Sequence, residues 1–280
     1  MIDLHTHSKA SDGTDAPSRV VELAKAAQCT AVALSDHDTL AGLEEAATKA
    51  GEVGIELVRA CEVSCAFEGR SVHVLVYFVE ESDGPFEEEL VRLRRDRVER
   101  NERIARALAE SGIPMSYEEV VAEAASQESV GRPHFARVIV SKGAAESNED
   151  AFERWLTPGR PGYVAKERLT PLEVASLAKA SGAVAVLAHP LSLKMTSGEL
   201  ELAVEELAEA GFAGVEALYG AYTSEERSAL STLAARVGMV ATGGSDYHGE
   251  LKRNLAVGTG RGDLLVPDSV LEGLKARRPG

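Results

Sequence analysis

The chain has 280 residues with an apolar fraction of 44%, enough for one barrel-sized domain or two smaller ones. Its net charge of −15 disfavours a long nucleic-acid footprint, which needs clustered Lys and Arg, but leaves a small anionic substrate open. Cys29, Cys61 and Cys65 are an odd three with no Cys-x-x-Cys, so a reducing cytoplasm fits, and no apolar run is long enough to span a bilayer.

The chain opens Met-Ile-Asp-Leu-His-Thr-His-Ser-Lys-Ala-Ser-Asp-Gly, a motif where a signal peptide would carry an apolar run. His5 and His7 stand two apart. On a strand, positions i and i+2 share a face, so the two imidazoles can chelate a metal. Asp12, in the polar turn that follows, can add a hard oxygen ligand. Residues 17–28 read as an amphipathic helix, with Pro17 at its first position and Val20, Val21, Leu23, Ala24 and Ala27 on its apolar face. A strand over 31–35 ends at Ser35-Asp36-His37-Asp38. A helix over 40–50 follows, with Thr39 as its N-cap. The strand over 55–63 delivers Glu62 at its end, and a strand over 71–78 carries His73. Alternating strands and helices predict a parallel sheet. Reactive residues at the ends of at least five strands predict a barrel mouth rather than the single switch point of a doubly wound sheet.

The pattern breaks at an acidic turn over 80–84. A long helix over 86–111 stops at Gly112, with Pro114 beyond. It carries Arg92, Arg94, Arg95, Arg97, Arg100, Arg103 and Arg106 interleaved with acids, a solvated face laced with i,i+4 pairs from which one or two arginines could reach substrate. Ser116-Tyr117-Glu118-Glu119 resembles a capping box, and helices follow over 132–141 and 148–156. The block 81–163 thus reads as a helical lid inserted between barrel segments 1–80 and 164–280. Within it, Pro133 opens a helix whose free N–H groups can face an anion, and Arg132 can grip a phosphate with two donors. Arg132 and His134 are therefore candidate substrate-binding residues; the plain alternative is a helix cap. Lys166 could contact phosphate, although an ordinary surface lysine is the plainer reading.

The strand–helix rhythm resumes at Thr170, the cap of a helix over 171–181. A strand over 183–188 ends in His189-Pro190. Helices over 199–210 and 224–237 flank a strand over 214–218. A strand over 239–242 opens into Gly243-Gly244-Ser245-Asp246-Tyr247-His248, and a short helix over 269–277 closes the chain. Of seven histidines, at 5, 7, 37, 73, 134, 189 and 248, six lie in or just after short apolar runs. A scatter of core histidines would not concentrate them so.

His5-Thr6-His7, Ser35-Asp36-His37-Asp38, Glu62, His73, Ala188-His189-Pro190 and Ser245-Asp246-Tyr247-His248, in this order, resemble the motifs of the PHP (polymerase and histidinol phosphatase) phosphoesterases over nearly the whole chain. The stretches from Gly131 to Arg137 and from Gly243 to Asp246 resemble the branch acting on 3',5'-nucleoside bisphosphates and short RNA 5' ends. The resemblance implies an α/β fold, a distorted (β/α)7-type barrel. It also implies two or three divalent ions. A first would take His5, His7 and Asp246, with Glu62 bridging to a second that adds His73 and His189. A third would take Asp12, His37 and His248. Other branches can carry His where Asp12 stands, which tilts this third position toward a harder metal. Glu62, His37 and Asp246 are the expected catalytic residues, and Asp36 and Asp38 would accept hydrogen bonds from ligands.

Clustered metals supply the nucleophile and the charge neutralisation that phosphoester hydrolysis needs at neutral pH. Imidazoles mixed with carboxylates suit Mn, with Fe or Zn as alternatives, better than Mg. The reaction expected first is removal of the 3'-phosphate from a nucleoside 3',5'-bisphosphate. The alternatives are 5'→3' cleavage of short RNA, histidinol phosphate hydrolysis, and a degenerate module that only binds. The partner in each catalytic reading is small and anionic, a nucleotide or short oligonucleotide at most.

Overall fold

The computed structural model describes residues 1–80, 84–124, 130–165 and 168–279. The chain divides into two units, Met1–Glu88 with Arg168–Gly280, and Glu89–Glu167. In the first, short runs of Ala, Val and Leu form strands, and the spacers between most of them form amphipathic helices. The order is β1 (Ile2–Asp3), α1 (Pro17–Ala26), β2 (Ala31–Leu34), α2 (Leu43–Val53), β3 (Glu56–Phe67) and β4 (Arg70–Tyr77). After the second unit come α7 (Pro171–Ala180), β5 (Val184–Leu187), α8 (Ser197–Glu209), β6 (Gly214–Tyr219), α9 (Ser224–Arg236), β7 (Val240–Gly244) and α10 (Ser269–Lys275). β2 and β5 are buried at every position, as strands covered on both faces must be. The seven strands form one sheet in sequence order.

The sheet closes into a nearly complete barrel. β1 is too short for a ladder with β7. Three backbone bonds join that region instead: Leu4 N to Gly243 O at 3.2 Å, Asp246 N to His5 O at 2.8 Å and His7 N to Tyr247 O at 2.9 Å. The approach is close enough to demand glycine. A Cβ on Gly244 would lie 2.4 Å from the N and Cβ of His5, and one on Gly243 2.3 Å from Leu218 O. Ile2, Leu4, Ala33, Val58, Leu75, Tyr77 and Val186 belong to the buried core. The Tyr77 hydroxyl donates to Leu4 O at 2.9 Å, which satisfies its one buried polar group.

The parallel-sheet expectation fails at one strand. β4 runs antiparallel to both β3 and β5, while the other neighbours are parallel. The cause is a two-residue turn at Glu68-Gly69, whose φ values of 48° and 77° are those of a hairpin turn matched to strand twist. Glutamate is an uncommon first residue there, so the turn was not legible. β3 therefore runs on to Phe67, and Glu62 lies within it rather than at its end, paired with Leu75. The hairpin overshoots the barrel mouth. Glu62 is level with the end of its parallel neighbour, bridging to His37. His73, whose carbonyl accepts from Ala188 N at 3.1 Å, is level with the end of β5.

α2 starts later than expected, at Leu43 after Gly42, because Thr39 accepts from Ala41 N at 3.3 Å and so makes a local turn instead of a cap. Thr170 does cap α7, in a reciprocal bond with Glu173.

The helical stretch holds α3 (Pro85–Glu110), α4 (Tyr117–Val121), α5 (Arg132–Ser141) and α6 (Asn148–Ala151). The helix expected over 148–156 widens after α6 into a π-type turn, Phe152–Leu156. Ser116 and Glu119 form the expected capping box. Ile104, Leu108, Phe135, Ile139 and Leu156 build the second unit's own core. On α3, Arg92 pairs with Glu89 and Asp96 at 2.6 Å each, which supports the solvated-ladder reading. The acidic turn over 80–84 lies mostly outside the described residues, and Lys166 lies outside them altogether. No helix among the described residues is long and apolar enough to cross a membrane.

Candidate metal centre

The barrel mouth gathers every one of the nine residues named above as metal ligands. His5 and His7 point to one side because they alternate with Thr6 in extended chain, and both are fully buried. Their Nε2 atoms are 3.0 Å apart. Glu62 Oε2 lies 3.1 Å from the first and 3.0 Å from the second, and Asp246 Oδ1 lies 3.5 and 3.4 Å from them. Ligands on a tetrahedral ion with bonds of about 2.0–2.1 Å lie about 3.3 Å apart, a spacing that His5, His7 and Asp246 match.

Glu62 faces two ways. Its Oε1 lies 2.9 Å from His73 Nδ1 and 2.9 Å from His189 Nε2. Its Oε2, besides His5 and His7, lies 3.4 Å from His37 Nδ1. A third group surrounds Asp12. His248 Nε2 is 3.3 Å from its Oδ1, His7 Nδ1 is 3.9 Å from the same atom, and His37 Nε2 is 3.9 Å from its Oδ2. His7 Nδ1 and His37 Nδ1 are buried without a hydrogen-bond partner, an expensive state for an imidazole nitrogen unless something else engages it. Orphaned nitrogens and the mixed imidazole–carboxylate set both fit divalent metal ions.

The carboxylates and imidazoles shift one another's charge. Burial alone would raise the Glu62 pKa, yet the imidazoles of His37 and His5 and the bond to His189 hold it well below the usual value. Burial likewise would raise Asp246, and His5 and His7 hold it well below. For His5, burial favours the neutral ring, but Glu216, Glu62 and Asp246 outweigh it and lift the pKa well above normal. His7 behaves alike: burial is overcome by Asp246 and Glu62, and its pKa rises to about 9. His37 goes the other way, because burial, aided by His7 and His73, outweighs Glu62 and lowers it to about 4.

Two buried carboxylates complete the support and were not foreseen. Glu216 on β6 accepts from His5 Nδ1 at 2.9 Å and from His189 N at 2.8 Å. With one proton held on Nδ1 by Glu216, the neutral His5 ring would offer its Nε2 lone pair to an ion. The only sequence sign was a lone acid within the apolar run Gly214–Tyr219. Asp3 accepts from Ser245 N at 2.9 Å, His5 N at 3.2 Å and Gly258 N at 2.7 Å, and so holds both ligand-bearing segments. Asp36 departs from expectation. It accepts from Ser8 N, Ser8 Oγ and Ser11 Oγ at 2.8, 2.7 and 2.6 Å, pinning the turn before Asp12 rather than an imidazole. Asp38 Oδ1 accepts from Ser64 N at 2.8 Å.

Arg132 and His134 open α5 in the second unit. His134 Nδ1 accepts from Gly131 N at 3.0 Å, the helix-capping arrangement. Arg132 Nη1 donates to Leu156 O at 3.3 Å, with its guanidinium 5.9 Å from the centre of the Tyr163 ring.

An α/β barrel with six imidazoles and three carboxylates packed at its mouth is the framework of a metal-dependent hydrolase. The comparisons make the class specific. The PHP domain model matches residues 3–157, more than half of the chain, which therefore belongs to the PHP family of phosphoesterases. A 3',5'-nucleoside bisphosphate phosphatase of Chromobacterium violaceum is 32% identical over 247 residues, covering 88% of this chain and 87% of its own. A 5'-3' exoribonuclease of Haemophilus influenzae is 33% identical over 246 residues, covering 88% and 89%. Among solved structures, a Bifidobacterium adolescentis protein described as a metal-dependent phosphoesterase superposes with a TM-score of 0.76 at 29% identity, covering 100% of this chain and 96% of the other.

Proposed function

We propose that this phosphoesterase removes the 3'-phosphate of nucleoside 3',5'-bisphosphates, giving nucleoside 5'-monophosphate and phosphate. The observation that carries the reading is the division of Glu62, with Oε2 toward His5 and His7 and Oε1 toward His73 and His189. This division supports a carboxylate that would bridge two ions. The Chromobacterium relative supports the choice of substrate.

In this reading His5, His7 and Asp246 would hold a first ion, Glu62 would bridge to a second on His73 and His189, and Asp12, His37 and His248 would hold a third. Two or three divalent ions bound there, Mn foremost with Fe or Zn as alternatives, would supply charge neutralisation for the phosphoryl oxygens and a more acidic water. Hydrolysis forms a bond from water oxygen to phosphorus and breaks the bond from phosphorus to the 3'-oxygen, which leaves with a proton. Glu62, His37 and Asp246 are the catalytic residues. Exposure gives the direction of approach. His5, His7 and Glu62 side chains are at most 1% exposed, whereas His37, His73 and Asp12 are 20%, 28% and 54% exposed. Substrate thus enters over the Asp12, His37 and His73 side. Arg132 and His134, at the start of α5, are the candidates for the phosphate that is not cleaved, and Arg132→Ala tests them.

The Haemophilus relative favours a second reading, release of nucleotides from the 5' end of short RNA. One panel separates the two. Mn-loaded protein is offered adenosine 3',5'-bisphosphate, 5'-phosphorylated tetraribonucleotides, histidinol phosphate and p-nitrophenyl phosphate. The bisphosphate should give the highest kcat/KM. Hydrolysis of the bisphosphate no faster than that of p-nitrophenyl phosphate would overturn the reading.

A further inference from the structure

Asp246 is held on every side. Its φ of 55° is left-handed, its N–H donates to His5 O at 2.8 Å, and its carbonyl oxygen accepts from His248 Nδ1 at 2.9 Å. Its two carboxylate oxygens live in different surroundings. Oδ1 faces His248 Nδ1, His7 Nε2 and His5 Nε2 at 3.3, 3.4 and 3.5 Å. Oδ2 points away from these rings, accepts from the Tyr219 hydroxyl at 2.5 Å and pairs with the Lys252 ammonium.

We propose that Tyr219 and Lys252 are positioning residues that clamp Oδ2 of Asp246, so that this carboxylate serves the metal centre through Oδ1 alone. The inference rests on the reading of Asp246 as a ligand. A free carboxylate can turn about its last bond or present both oxygens to an ion. With Oδ2 bonded to a hydroxyl and an ammonium, either change breaks a charge-assisted hydrogen bond in a site where Asp246 is only 3% exposed.

The two arms of the clamp differ in kind. Tyr219 ends β6, and its ring is wedged edge-on between His189, 5.6 Å away, and Tyr222, 4.7 Å away. Tyr222 is itself anchored, accepting from Leu191 N at 2.9 Å. Tyr219 therefore sets the direction of Oδ2. Lys252 closes the short 3-10 turn Gly249–Lys252 and is 37% exposed, so it adds charge without being locked by packing. Among the described residues neither side chain bonds to Glu62 or Asp12, and Tyr219→Phe keeps the ring against His189, so the effect of removing the hydroxyl or the ammonium should run through Asp246.

The test is Mn binding by the full chain after chelator treatment. Mn alone is titrated and the free ion followed by electron paramagnetic resonance, and melting is recorded with and without Mn. Tyr219→Phe and Lys252→Met should each weaken the tightest Mn binding by about tenfold, the usual scale for a group that orients a ligand. Lys252→Arg, which keeps charge and donor, should recover most of the loss. The metal-free melting temperature should stay near the parent's while the Mn-induced rise shrinks. A fall in metal-free melting with an unchanged Mn-induced rise would mark the pair as merely structural and overturn the clamp. Parent-like Mn affinity in both variants, beside weakened affinity in Asp246→Asn, would overturn the clamp and leave Asp246 a ligand. Parent-like affinity in Asp246→Asn would instead remove Asp246 from the metal centre and the clamp with it.

Discussion

Glu216→Gln isolates the orienting role of a residue that no motif announced. The carboxylate accepts from two donors, His5 Nδ1 at 2.9 Å and His189 N at 2.8 Å, one on each oxygen. A glutamine of nearly the same volume keeps one acceptor and turns an NH₂ toward the other donor. One hydrogen bond to a charged acceptor is lost, about 1.5–3 kcal/mol, and at about 1.4 kcal/mol per decade this is roughly a ten- to hundredfold effect. Stability should change less, because a neutral amide is cheaper to bury than a carboxylate, which offsets part of the lost bond. The assay is kcat/KM on p-nitrophenyl phosphate at saturating Mn, with Mn content measured on the same sample. A variant within twofold of the parent in rate and equal in Mn content would show that Glu216 fills space and does not orient His5 or His189.

The remaining predictions concern the same cluster and its substrate. Purified protein should carry more than one equivalent of Mn, Fe or Zn by elemental analysis; at most one equivalent after Mn reconstitution would sink a multinuclear centre. Glu62→Gln should cost at least about a hundredfold in turnover, since it weakens two ion positions at nearly constant volume, and near-parent rates would mean Glu62 does not bridge. Arg132→Ala should lower kcat/KM for a 3',5'-bisphosphate by about 1.5–3 kcal/mol while hardly touching p-nitrophenyl phosphate; equal losses on both would assign Arg132 to the fold, where its bond to Leu156 O lies.

Much of the fold was written in local pattern. Periodicity and caps placed α5 to the residue and found Thr170 and Ser116 as caps, because these signals depend on neighbours within one turn. The direction of β4 was not legible, since it depends on two turn residues, one of them an unusual glutamate. The site shows the same division. His5 and His7 were readable because a strand repeats every two residues. Which imidazoles share which oxygen of Glu62 depends on how far the β3–β4 hairpin overshoots the mouth, a matter of register between strands. Glu216 was silent for a related reason. A lone acid in an apolar strand has no spacing to betray it, and only the folded chain shows that its partners are His5 and His189.

The gap between β1 and β7 has a consequence for folding. Only a few backbone bonds join these edges, yet His5 and His7 stand on one side and Asp246 on the other. His5 and Ser245, whose hydroxyl bonds back to the His5 carbonyl, are 240 residues apart in the chain. An ion shared by His5, His7 and Asp246 would act as a cross-link over that span, as a disulfide does in a secreted protein. The entropy a cross-link removes from the unfolded chain grows with the logarithm of the loop it closes, and few loops available to this chain are longer. Metal loading should then govern how tightly the barrel stays shut: stripped of ions, this edge would be the first to breathe, and amide exchange there would report ion occupancy before any substrate is turned over.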